Sequence, residues 1–91
     1  MEQKLFNELL QRTKFRAKAR RQQANALAED DKALAMINVS GTIQALITPS
    51  LSVVSGWRVT YIDKDGPIGH GEFQNKRLAV LDALEQNYRL I

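Results

Sequence analysis

His70 is the only histidine in a chain of 91 residues that contains no cysteine, so imidazole or thiol chemistry has a single place to occur. A transition-metal site would have to be assembled mostly from carboxylates, a donor set that suits such metals poorly. Asp63-x-Asp65-Gly66 has the opening spacing of a calcium loop. Its fifth position is Pro67, its sixth is Ile68 where the sharp turn needs glycine, and its twelfth is Gln74 in place of a bidentate glutamate, so the segment reads as a plain turn. Asp63, Asp65 and Glu72 fall across one hairpin, where grouped acids are usually solvated rather than catalytic. Ser40 and Ser55 lack the strand–elbow–helix setting of a nucleophile, and Gly69-His70-Gly71 belongs to no phosphate-cradling glycine pattern. The reading is a protein that is not an enzyme and uses neither a cofactor nor a metal.

What stands out instead is charge. Arg12, Lys14, Arg16, Lys18, Arg20 and Arg21 place six positive side chains in ten residues with no acid among them, and they largely account for the net charge of +3. Such density repels itself, which points to a polyanion or an acidic protein surface as partner. The alternative is a solvated face of a basic protein. Arg58 and His70 join the run as candidate contacts, His70 because an exposed imidazole can donate to a phosphate or a base edge. Trp57 and Tyr61, one step out of phase with Arg58, read as the core face of a strand, with base stacking as the alternative.

The elements that position these groups follow from periodicity. From about Gln3 to Ala35 the chain has neither glycine nor proline and is rich in helix formers. On a helical wheel Phe6, Leu9, Leu10, Thr13, Ala17, Ala24, Leu27, Ala28, Leu34 and Ala35 share one stripe. Arg12, Arg16 and Arg20 run along one edge of it, and Lys14, Lys18 and Arg21 along the other. The small alanines allow this face to pack closely on a sheet or another helix. Glu29-Asp30-Asp31 suggests the cap of a second helical piece, giving one long helix or a pair kinked near Asp30. Strands are then expected over Val39–Thr48, Trp57–Ile62 and Ile68–Phe73, with Leu51–Ser55 open between extension and turn. Asp65-Gly66 signals a hairpin, and Pro67, which has no N–H, suggests a loop longer than two residues. Asn75 caps a last helix bearing Leu78, Leu81, Ala83, Leu84 and Tyr88. The expected fold is α+β in the order α-β-β-β-α: a long basic N-terminal helix, a three-stranded antiparallel sheet and a C-terminal helix in one domain, 1–91. The stretch MEQKLFNELLQ has no apolar signal region and no run reaches membrane-spanning length, so a soluble cytoplasmic protein is expected.

The stretch from Trp57 to Leu84, WRVTYIDKDGPIGHGEFQNKRLAVLDAL, resembles the second half of a double-stranded RNA-binding domain. The likeness rests on two strands around a turn, Gly69-His70-Gly71, the basic pair Lys76-Arg77, and Ala79, Ala83 and Leu84 on the following helix. The resemblance implies that Lys76 and Arg77 grip phosphates across an RNA groove near a helix N-terminus. This chain departs from that family in its longer, more basic first helix and in Val80, where the family carries lysine. In general character the chain is also similar to phage-encoded anti-CRISPR proteins, small binders that disable a host effector.

Three functions follow as expectations. The first is a binding protein that engages RNA, DNA or a ribonucleoprotein through the basic helix, most sharply a phage or mobile-element inhibitor of a host CRISPR effector in the host cytoplasm. The second is a double-stranded RNA- or DNA-binding accessory module. The third is an assembly protein whose Phe6/Leu10/Ala17/Ala24 stripe makes a dimer.

Overall fold

A computed structural model describes residues 2–51 and 56–91; within the first helix it leaves the side chains at 2, 6 and 9–13 outside that description. The question of whether Leu51–Ser55 extends or turns falls almost wholly on positions outside it. The elements are α1 (Glu2–Leu27), β1 (Leu34–Ile37), β2 (Gln44–Pro49), β3 (Trp57–Asp63), β4 (Gly66–Phe73), α2 (Lys76–Glu85) and β5 (Arg89–Leu90). The sheet is antiparallel in the order β4-β3-β2-β1-β5. No helix among the described residues is long and apolar enough to cross a membrane.

The fold is α+β as expected, but the sheet has five strands, not three. The first extra strand comes from the expected helix. α1 ends at Leu27, and Leu34 and Met36 pair with Ile47 and Ala45 of β2. Neither an unbroken helix to Ala35 nor a kinked pair at Asp30 forms. Asp30 instead accepts the Lys32 N–H through Oδ1 at 3.0 Å, a local turn that takes the place of the bond Lys32 would make to Ala28 in a continuing helix. Pairing also buries Met36 completely, a gain that outweighs the helix preference of Leu34 and Ala35.

The second extra strand depends on how α2 stops. Asn87 adopts a left-handed φ of 65°, its N–H reaches the Leu84 carbonyl at 3.0 Å, and the Tyr88 N–H reaches the Ala83 carbonyl at 3.0 Å. This Schellman pattern reverses the chain so that Arg89 and Leu90 pair with Ile37 and Met36. It also drops Tyr88 from the helix to a position 5.7 Å from the Tyr61 ring.

Two turns differ from expectation for local reasons. Residues expected to begin a strand at Val39 form a turn instead, because the Asn38 side-chain oxygen accepts the N–H groups of Thr42 and Ile43 at 2.8 and 3.0 Å. Gly41 supplies the positive φ that this turn requires. The β3–β4 loop holds two residues, Lys64 and Asp65, and is no longer than that: Asp63 pairs with Gly66, and the Asp65 N–H donates to Asp63 Oδ1 at 2.8 Å. Pro67 is accommodated because β4 is the sheet's edge and a register shift leaves Ile68 between the paired Pro67 and Gly69.

Asn75 caps α2 as expected, accepting the Leu78 N–H at 2.9 Å. Trp57 and Val59 are buried on one sheet face with Ala45, Ile47 and Met36, under Ala79, Val80, Ala83 and Leu84 of α2. Both helices lie on that side, α2 on β2, β3 and β4, and α1 on α2. Ala35, Ile37, Leu46, Thr48, Arg58, Thr60 and Ile62 alternate onto the opposite face, which no described helix covers.

Candidate nucleic-acid interface

The 26 residues of α1 make a rod about 39 Å long, whereas the ten residues of α2 span about 15 Å. A short helix cannot cover a long one, so much of α1 runs past α2, and the molecule as a whole is elongated, measuring 52 × 29 × 19 Å. Burial agrees. Among the described side chains of α1, Ala24 alone is buried, while Ala17, Arg20 and Leu27 are half-buried and every other described residue from Lys14 to Gln23 is exposed. The packing seam of the sequence reading therefore exists, with another helix as its partner rather than the sheet. Its Phe6, Leu9, Leu10 and Thr13 portion falls on side chains outside the description, and its Leu34 and Ala35 portion belongs to β1.

Lys14, Arg16, Lys18 and Arg21 stand exposed on the rod, and Arg20 lies half-buried at the edge of the seam. Among the described residues no carboxylate pairs with any of these five. The Arg12 side chain is one of those outside the description. The Lys14–Lys18–Arg21 edge gains a member the sequence did not place there. Asn25 follows Arg21 by one turn, and its Oδ1 accepts a 2.6 Å hydrogen bond from Arg77 Nε. Arg77 of α2 is thus held at the foot of the cationic row, and the row spans about 16 Å from Lys14 to Asn25.

Lys76, its neighbour in the expected phosphate grip, is placed quite differently. Its side chain is 4% exposed and turned inward. Nζ donates to Asp30 Oδ1 at 2.8 Å and to the Asp30 carbonyl at 3.0 Å, and lies 5.2 Å from the centre of the Trp57 ring. The Lys76 hydrogen bond, followed by that from the Lys32 N–H, holds the Asp30 carboxyl below the ordinary carboxylate value. This ammonium joins the segment after α1, the start of α2 and β3. It is a structural group, and Trp57 beneath it belongs to the core rather than to a base-stacking surface.

Arg58 and His70 lie elsewhere. Arg58 Nε meets Glu72 Oε1 at 2.6 Å, and His70 stands opposite Thr60 on the exposed edge strand. Bonds from Ser50 and then Arg58 hold the Glu72 carboxyl low. These groups share the uncovered sheet face, away from the helices. The ten candidate residues therefore divide into a helical row with Arg77, a buried Lys76, and a separate pair on the sheet, with Arg12 undetermined.

One exposed residue of the rod was missed. Phe15 lies inside the cationic run and is 73% exposed. It precedes Ala24 by nine residues, which at about 100° per residue is half a rotation, so it faces away from the buried seam. The helical wheel already contained that signal, as the one large apolar residue of the run that lies off the stripe.

Compared with known proteins, the chain matches no family model, no curated protein and no solved structure.

Proposed function

We propose that this protein works by binding nucleic acid, free or within a ribonucleoprotein, through the cationic row of α1 extended by Arg77. The observation that carries this reading is the exposed, acid-free set of Lys14, Arg16, Lys18 and Arg21, lining both edges of the packing seam on a helix that outruns its own packing partner. A helix needed only to close a core would not extend past α2, and mutual repulsion along the row is relieved by a polyanion. Backbone phosphates satisfy such a row without base-specific contacts. In its sharper form the bound strand belongs to a host CRISPR effector, and the helix blocks it as an anti-CRISPR inhibitor would. The double-stranded RNA-binding form has less support, because Lys76 is occupied by Asp30 and only Arg77 of that basic pair remains at the surface.

The test is the salt dependence of binding to short RNA and DNA strands of mixed sequence. A logarithmic plot of affinity against salt should fall steeply, with a slope of about −3 for four or five single-strand phosphate contacts. Absence of binding at ~50 mM salt would reject direct phosphate contact and leave an acidic protein surface as the partner.

A further inference from the structure

Phe15 gives the proposed interface a preference that its charges do not. Single exposed apolar residues are common on protein surfaces and by themselves carry no argument. The surroundings of this one are distinctive. Lys14 and Arg16 flank it along the chain, Lys18 lies one turn on at i+3, and Ala19 at i+4 is small and exposed. Among the described residues the only cation over an aromatic ring is Lys76 over Trp57, so neither Lys14, Arg16 nor Lys18 folds across Phe15. The α2 helix cannot shield the ring either, since Phe15 points the opposite way from Ala24 and sits about 13 Å along the rod from it.

We infer, building on the proposed function, that Phe15 is a stacking platform for an unpaired base and that the ligand of α1 is single-stranded RNA or DNA. An aromatic ring 73% exposed among cations matches the two features every nucleotide offers, a π-face and a phosphate. Lys14, Arg16 and Lys18 lie within a turn of the ring and reach phosphates on either side of the stacked base. Ala19 leaves that flank of the ring open for the base to enter. In a duplex the base faces are already covered by their neighbours. Using Phe15 there requires opening a base step, at an energetic cost, and the deep, narrow major groove of A-form RNA does not admit side chains. A single strand presents its bases without that cost. Stacking also tolerates any base, so the preference is for strandedness rather than sequence.

The experiment compares the full-length protein with Phe15→Ala and Phe15→Trp. Each is titrated at low salt with a single-stranded RNA, a single-stranded DNA and a blunt RNA duplex of equal length, and circular dichroism checks folding. Phe15→Ala should weaken single-strand binding about tenfold to a hundredfold while leaving duplex binding within about twofold. Phe15→Trp should retain single-strand affinity, and the new indole's fluorescence should be quenched by the strands but not by the duplex. Equal affinities for wild type and Phe15→Ala, or an equal loss on strands and duplex, would overturn the stacking role and leave the phosphate-binding row standing. If the wild type binds none of the three, both the row and the platform are rejected.

Discussion

Replacing Arg16, Lys18 and Arg21 together by glutamate should lower affinity for a short RNA strand by about two orders of magnitude at ~50 mM salt, with the fold intact. Each phosphate contact to a single strand steepens the logarithmic salt dependence by about 0.7, so losing three contacts flattens the slope by about 2. Extrapolated from molar salt, where such contacts vanish, that change amounts to a hundredfold or more at low salt, and the introduced acids add repulsion. The thermal midpoint should hardly move, because these side chains are exposed and have no carboxylate partner among the described residues. The same reversal at Arg58, on the uncovered sheet face, should leave binding near the wild-type value. Fluorescence anisotropy at several salt concentrations, paired with a thermal melt, reads both quantities. An unchanged slope in the triple variant would mean that the row is only a solvated face.

Lys76→Met should produce the opposite pattern, a large loss of stability with the binding row untouched. Methionine keeps much of the stem's packing but removes an ammonium that bonds Asp30 twice and lies over Trp57. Charge-assisted hydrogen bonds and a cation–π contact in a 4% exposed position together support a loss of about 2 kcal/mol, or a midpoint about 10 °C lower for a chain this short. The acid side carries a second signature. Because the Asp30 carboxyl is held low in the folded state by Lys76 and then by the Lys32 N–H, its contribution is complete above the ordinary carboxylate value. It fades as pH falls through the lowered value. Asp30→Asn should therefore melt below the wild type at neutral pH, and the gap between them should close on acidification below the ordinary carboxylate value. A gap that stays constant with pH, or a Lys76→Met variant as stable as the wild type, would show that the pair contributes little.

What the sequence made legible was whatever depends on neighbours along the chain. The helical run through Arg21, the alternation of Trp57, Val59 and Tyr61, and the Asn75 cap are all set by residues within a few positions of one another. β1 was hidden because Leu34 and Ala35 favour helix locally, and only pairing with Ile47 and Leu46 makes them a strand. β5 is two residues without a pattern, fixed by the left-handed Asn87 that turns the chain back. The cationic row was visible as charge density, since six cations without an acid need no structure to be noticed. Its completion by Arg77 was not visible, because the link to Asn25 spans 52 residues. Lys76 illustrates the same limit more sharply. Beside Arg77 in sequence it reads as half of a phosphate grip, yet Asp30, 46 residues away, turns it into the core.

On the proposed function α1, rather than the uncovered sheet face, is the binding surface. Amide chemical-shift mapping of the labelled protein with a short single-stranded RNA tests it most directly. Shifts should concentrate over Lys14–Arg21, with Asn25 and Arg77 moving and Arg58, Thr60 and His70 remaining still. Perturbations centred on Arg58, Thr60 and His70, with α1 unmoved, would contradict the account.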